Sequence, residues 1–369
     1  NHLADATGMF RSAGAPALFL LALDKPAGSA WALGTNYYKV SFPIDATLNA
    51  TLPSGMANFS ALYGPQGEVT EVYAGDLRGN LWKLRFADVV PADWNMDKLS
   101  YFNKGSAGSP LPYPMYIAKD ATGVRQAITA APALFQGPEM SGLETFYVVF
   151  GTGKFLESGD NTSTAPNSVY TLLDDGSSTA DNSPAGDAAI SGRARLRAGT
   201  VDTSSKVISV PAFAWGRPMT NGDTTKRSGW YFDMPVSGEK LVSSIQDLGD
   251  SKAAFNSIIP GSAGTAGSCS SNPGSGNQYV INVLKGEGSK YTPSTVGLLG
   301  PALYLTSEAQ TAASESPTDS TGRRIRTFTR HSITIGQDGI AKGTTATTQQ
   351  FVGRLSWRQI NNYQEMKNK

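Results

Sequence analysis

The chain is poor in the residues that most site chemistry needs. Its 369 residues include one cysteine, Cys269, and two histidines, His2 and His331. A lone cysteine in a Gly/Ser loop closes no internal disulfide and builds no cysteine-rich zinc site; it is either a bystander or it pairs outside the chain. With two histidines, a histidine-based metal centre or a Ser–His–Asp triad is all but excluded, because such sites need histidine as ligand or base. Charged residues make up 17 % of the chain and the formal net charge is +1, so no basic field points to nucleic acid. The longest apolar run, APALFLLAL (15–23), is too short to span a bilayer. No signal-peptide pattern is visible. The sequence opens on polar residues and runs straight into a buried-looking strand, so a natural start upstream is expected.

Glycine (40) and proline (21) are plentiful, and Ser and Thr are dense throughout. Lysine- or glutamate-rich helical segments are nearly absent. The composition predicts many short strands joined by turns, within one large all-β domain or two ordinary ones. Helix is expected only for a turn or two near Asp93–Lys98 and in the charged tail after Trp357.

Five segments repeat one pattern, in which an apolar run meets a glycine turn and a second apolar or aromatic run. They are 15–33, VYAGDLRGNLWKLRF (72–86), 146–176, 227–242 and 277–288. Such repetition suggests blades around an axis, or a sandwich. In the second segment Val72, Tyr73 and Ala74 fit a short buried strand. Gly75 and Gly79 allow a backbone geometry or close approach that a Cβ would hinder. Asp76 and Asn80 are expected to cap nearby backbone groups. Leu81, Lys83 and Arg85 then alternate with Trp82, Leu84 and Phe86, and the bulky side is expected to face the space between sheets. Three Gly/Ser/Thr-rich stretches, 175–188, 261–276 and 308–322, are expected to be solvent-facing insertions, and no composition break marks a domain boundary.

These residues resemble the PilC/PilY family of type IV pilus tip-associated proteins. VYAGDLRGNLWKL, with Tyr73, Gly75, Asp76, Gly79, Asn80 and Trp82, is similar to its most recognisable motif. ITAAPALF (128–135) followed by VVFGTGKFL (148–156), with Gly151 and Gly153, resembles a second segment. Asp160 and SVYTLLDD (168–175) resemble its continuation. SGWYFDMPVSGEKLV (228–242, with Trp230), the Phe255–Pro260 strand with Cys269, and GRLSWRQI (353–360, with Trp357) are similar to three more, in the family's order. The resemblance implies a modified β-propeller with long Gly/Ser-rich insertions. It implies that residues 1–369 are the single C-terminal propeller domain of a longer exported protein. The implied role is a non-enzymatic module that associates with minor pilins in the pilus tip complex and supports pilus extension, twitching motility and adhesion to host or abiotic surfaces. The implied location is the bacterial surface, at the pilus tip, outer membrane or periplasm.

One departure matters. Many family members carry an aspartate-rich calcium loop just before the VYAGD strand. Here the ligand positions fall by register on Leu62, Gly64, Gln66 and Thr70, and Gly67 keeps the turn. The carboxylates are missing, so no calcium is expected there, no other cofactor is implied, and an ordinary hairpin turn should remain. The acidic loops at Asp160 and Asp174–Asp175 are read as turn caps, with a cation site as the alternative. The integrin-binding tripeptide Arg-Gly-Asp is absent; DLRGN places Asn80 after the glycine.

Two other functions fit the pattern less well. A quinoprotein-like propeller dehydrogenase would need calcium ligands and a catalytic aspartate, and Asp76 is the only aspartate in a strongly patterned segment. A generic carbohydrate- or protein-binding propeller would use exposed aromatics. Trp94, Tyr101, Tyr113 and Tyr116 are the candidate partner surface, with a loop that merely covers the core as the plainer reading.

Overall fold

The computed structural model describes residues 15–48, 51–106, 108–181, 186–218, 220, 222–261, 274–308, 318, 325–336 and 341–351. His2, Cys269, Trp357 and the 353–360 segment, together with the charged tail, lie outside the described residues. So do the central parts of the three Gly/Ser/Thr-rich stretches.

The fold is nearly all β. A first two-stranded sheet pairs β1 (Ala17–Leu21) with β2 (Tyr37–Ser41). The second sheet is a meander of β3 (Met56–Tyr63), β4 (Val69–Asp76), β5 (Asn80–Arg85) and β6 (Tyr116–Ile117). The third is built on β7 (Ala133–Gln136), β8 (Phe146–Gly151) and β9 (Ser168–Asp174), extended by β15 (Gly229–Asp233) and β10 (Arg197–Ala198). The fourth runs β16 (Gln246–Gly249), β17 (Lys252–Asn256), β18 (Asn277–Asn282) and β19 (Ser289–Pro293), then β12 (Val207–Ser209) and β11 (Thr200–Asp202). A parallel pair, β13 (Ala214–Trp215) with β14 (Lys226–Arg227), lies between them in sequence. The last sheet joins β20 (Leu303–Glu308), β21 (Ile325–Ile335) and β22 (Ala341–Phe351). The helical turn expected near Asp93–Lys98 is a 3-10 turn (Pro91–Asp93) followed by one α turn (Met96–Leu99), capped by the Asn95 side chain.

Alternation along each strand assigns side chains to opposite faces, and both faces are covered. On β4, Val72 and Ala74 join Leu18, Val40 and Phe42 in one core, whereas Tyr73 faces a second core with Phe150, Tyr170 and Leu172. On β8, Val148 and Phe150 belong to that second core. Tyr147 and Val149 enter a third, with Trp230, Phe255 and Tyr279. The second and third sheets are therefore packed on both faces, as blades of a propeller are. The expectation that only the Trp82 side of β5 is buried is corrected: Leu81, Trp82, Lys83 and Leu84 are all buried.

Two glycines make the stacking possible. A Cβ on Gly75 would stand 2.2 Å from Ile128 Cγ2, and one on Gly151 would stand 2.5 Å from Leu241 Cδ1. In both places the next residue accepts a backbone bond from the incoming chain. Ile128 N donates to Asp76 O at 3.0 Å, and Leu241 N donates to Thr152 O at 3.0 Å. VYAGD and VVFGT are thus the same joint used twice, where the lead-in to the next sheet lies directly on the glycine.

From the run at 15–33, β1 pairs beyond the run with Tyr37–Ser41, so Leu18 meets Val40 and Leu20 meets Tyr38. Trp31 and Leu33 are left exposed. The 175–188 stretch is not simply solvent-facing, because Asp181 is fully buried, with its carboxylate 3.2 Å from Arg195 Nε and accepting from Ser191 Oγ at 2.7 Å.

Gly67 and Gly79 separate the cost of backbone conformation from the cost of contact. Both have positive φ, but a Cβ on Gly67 meets nothing within 4 Å, whereas one on Gly79 lies 2.6 Å from Gln126 O and 2.8 Å from Ala118 O. Gly67→Ala should cost about 1–2 kcal/mol for the left-handed backbone. Gly79→Ala should cost a further 1–3 kcal/mol or about that for overpacking. Equal urea midpoints for the two variants would contradict the close-packed joint.

Candidate functional site

The motif turn is closed by one carboxylate. β4 ends at Asp76, which is 3 % exposed. Its Oδ1 accepts from Arg78 N and Asn80 N, both at 2.9 Å. Its Oδ2 accepts from Asn80 Nδ2 at 2.7 Å and from Trp82 Nε1 at 3.0 Å. Burial raises the carboxyl pKa, against the pull of these hydrogen bonds. Both oxygens are occupied by donors of its own turn, which explains why a short acidic side chain, an asparagine and a tryptophan occur at this spacing.

The degenerate calcium loop is a hairpin between β3 and β4. Gly64 N donates to Glu68 O at 2.8 Å, and Gln66 N donates to Glu68 Oε2 at 2.9 Å. Thr70 Oγ1 is spent on Leu62 O at 3.2 Å. Leu62 and Gly64 offer no side-chain oxygen, so the residues at the ligand positions do not fit a calcium ion. The carboxylates of the other acidic loops meet cations of the same chain. Asp160 Oδ1 lies 2.8 Å from Lys154 Nζ, while its Oδ2 accepts from Leu156 N and Glu157 N. Asp175 holds Arg217 at 2.6 Å, and Asp174 holds Lys83 at 2.7 Å.

The Asp174–Lys83 pair lies in a polar seam between the second and third sheets. Glu71 Oε2 is 3.1 Å from Lys83 Nζ on the same seam. Tyr73 Oη donates to Asp174 Oδ2 at 2.5 Å, and the Tyr101 ring lies 3.7 Å from the ammonium. Further along the third sheet, Arg193 Nη2 donates to Tyr170 Oη at 2.8 Å and to Asp233 Oδ1 at 2.9 Å. Its guanidinium lies over the Tyr231 ring at 4.3 Å. Sequence reading missed Lys83, since a single charge within an alternating strand looks like a solvent-facing one, and Arg193, which opens a 3-10 turn (Arg193–Arg195) with no strand pattern around it.

The four aromatic candidates do not share an exposed surface, which corrects that expectation. Tyr116 is 0 % and Tyr113 is 4 % exposed. Both belong to the core between the second and third sheets. Tyr101 is half-buried and donates to Gly176 O at 2.6 Å. Trp94 is packed edge-on against Tyr38 and Phe86, with its indole N–H on Val89 O. Large rings beside prolines are here the filling of the core. Trp230 is likewise buried, and its indole donates to Val283 O at 2.9 Å.

Exposed apolar surface lies elsewhere. A groove of about 800 Å³ is lined by Tyr147, Val207, Phe213, Trp215 and Leu284 among others. PAFAWG (211–216), the sequence signal for it, was open to reading. On the first sheet Phe19 and Leu21 are exposed, and Leu23, just past the end of β1, is exposed almost completely. Among the described residues no group of three or more His, Cys, Asp or Glu is set to hold a metal ion, and no helix is long and apolar enough to cross a membrane.

Comparison with known proteins matches part of the chain to one family. Residues 50–208, from just before β3 into β12, match the family model described as the PilY1 beta-propeller domain. The chain is 31 % identical over 214 residues to the type IV pilus biogenesis factor PilY1 of Pseudomonas aeruginosa, covering 53 % of this chain and 18 % of that protein. A PilY1 homolog of Xylella fastidiosa is 28 % identical over 240 residues, covering 63 % of this chain and 14 % of that protein. The chain thus spans less than a fifth of the length of these curated relatives. No solved structure matches the chain significantly.

Two outcomes follow from this geometry. Asp76→Asn turns an amide donor toward donors, so it should destabilise nearly as much as Asp76→Ala, by about 1–3 kcal/mol for each buried partner left unpaired. A urea midpoint for Asp76→Asn close to the parent would contradict the four-donor arrangement. Burial raises Tyr170 from 10.0 to about 12, with Arg193 pulling the other way. Below pH 10 both folded and unfolded chains hold this proton. Between 10 and about 12 only the folded chain does, so stability falls with rising pH across that window. The loss should approach about 3 kcal/mol. Tyr170→Phe should flatten that alkaline slope, as read by denaturant midpoints from pH 9 upward.

Proposed function

Since the chain belongs to the PilC/PilY family, with a PilY1 beta-propeller domain over 50–208, we propose that it is a non-enzymatic module of a type IV pilus biogenesis factor. In this reading it associates with minor pilins at the pilus tip, and supports pilus extension, twitching motility and adhesion. Residues 1–369 form one C-terminal propeller domain of a longer protein exported to the bacterial surface. The observation that carries the reading is the ordered set of family segments, whose first and second are the same structural joint in the fold. The Asp76 carboxylate, saturated by four donors, gives no support to a dehydrogenase built on that motif. No step in this role uses a metal at the Leu62–Thr70 hairpin.

The test is a pull-down of the purified chain against the minor pilins of its source organism, with calcium and with chelator. Capture is expected in both conditions and at equal strength. Capture lost with chelator would overturn the metal-free reading of this domain. Failure in both conditions would overturn the assignment of pilin contact to these residues.

A further inference from the structure

The seam between the second and third sheets brings together a lysine, two carboxylates and a tyrosine away from water. Lys83 lies on β5, Glu71 and Tyr73 on β4, and Asp174 at the end of β9. The Lys83 and Asp174 side chains are each 2 % exposed and Glu71 is 17 % exposed. The Lys83 amine is covered by the Tyr101 ring at 3.7 Å and the Tyr73 ring at 5.5 Å. A salt bridge in such a place gains less than its short distance suggests, because both ions are desolvated. A condensation that removes both charges and releases a water does not keep that penalty.

We propose that Lys83 and Asp174 condense to an intramolecular isopeptide bond that covalently joins the second sheet to the third, with Glu71 and Tyr73 carrying the proton. The atoms balance without any co-reactant. Lys83 Nζ attacks Asp174 Cγ, the Nζ–Cγ bond forms and the Cγ–Oδ2 bond breaks. Of the three ammonium protons, one stays on the amide nitrogen and two leave with Oδ2 as water. Nothing is oxidised or reduced.

Each part of the geometry has a task in that step. Lys83 Nζ and Asp174 Oδ2 are 2.7 Å apart, so the reacting groups are already held together and no translational entropy remains to be lost. Burial works against the Lys83 ammonium, but Asp174 and Glu71 outweigh it and hold the amine charged. The first event is therefore a proton transfer from Nζ to Glu71 Oε2, 3.1 Å away. Tyr73 Oη bridges onward, 3.2 Å from Glu71 Oε2 and 2.5 Å from Asp174 Oδ2, the oxygen that leaves. Burial and the two carboxylates hold the Tyr73 phenol protonated, as a donor must be. Gly176 N donates to Asp174 Oδ1 at 3.0 Å. That oxygen carries the negative charge in the tetrahedral stage and becomes the amide carbonyl.

Intact-mass spectrometry of the purified chain decides the matter. The expected mass is one water below that of the sequence, and a protease digest should contain a branched peptide joining Lys83 to Asp174. Glu71→Gln removes the proton acceptor but keeps the side chain's shape, and should leave the chain at full mass. Lys83→Met should do the same. A parent chain at full sequence mass would overturn the proposal. So would a water loss mapped to a succinimide at Asp175–Gly176, the neighbouring site where an aspartate precedes glycine. A cross-link that survives Glu71→Gln would overturn the proton route.

Discussion

The fold depends on a joint in which an apolar side chain of the incoming segment lies directly on a strand glycine. At Gly75 and again at Gly151 the lead-in to the following sheet lies where a Cβ would have to be, on Ile128 and Leu241 respectively. The residue after each glycine then accepts the incoming N–H, so the crossing segment is hydrogen-bonded as well as packed. Because this contact fixes the approach of one sheet to the next, the interdigitating rows of Tyr73, Phe150 and Tyr170, and of Val149, Phe232 and Tyr279, fall into register behind it. A small residue is required there for steric reasons, and the surrounding apolar run is required to make the contact worth burying.

Sheets stacked on both faces leave no outer side for charge. Every polar residue on the inner strands has to find its partner within the protein. Lys83 does so with Glu71 and Asp174. Arg195 does so with Asp181. Buried Glu239 accepts from Asn277 Nδ2 at 2.9 Å, from Tyr279 Oη at 2.7 Å and from Ser257 Oγ. Such groups contribute less to stability than apolar packing would, but losing one partner leaves an uncompensated buried charge. They therefore penalise any stacking in which the wrong residues face each other. The Lys83–Asp174 and Glu239–Tyr279 contacts both run between elements far apart in sequence, where a mistaken register is the main hazard.

The class of fold was legible because turn chemistry and alternation are local. Val72–Phe86 announces two strands and a capped turn, and Asp76, Asn80 and Trp82 meet as their spacing suggests. Pairing partners were less legible. APALFLLAL has an apolar run on its C-terminal side at Trp31–Leu33, yet Tyr37–Ser41 wins the pairing because it brings Tyr38 and Val40 opposite Leu20 and Leu18. Burial of single charges was not legible at all. Whether Lys83 faces water depends on what covers that face of β5, and the covering residues, Asp174 among them, lie some ninety positions away. The same limit explains Tyr113 and Tyr116. Prolines nearby suggested an aromatic surface, but β6 is the last strand of a sheet whose face is closed by Phe150 and Tyr170.

These constraints separate scaffold from contact surface. The aromatic and ionic side chains of the inner strands already have their partners within the chain, so altering them changes whether the domain folds before it changes what the domain meets. Surface left for recognition lies on segments that the stacking does not use: the outer face of β1 with Phe19 and Leu21, and the groove beside Phe213 and Trp215. The motif residues are structural and the unclaimed apolar residues lie outside the stacking, and function on a shared fold resides in the site and not in the scaffold. The family motif is then best understood as the means by which the scaffold resists sliding of one sheet on the next.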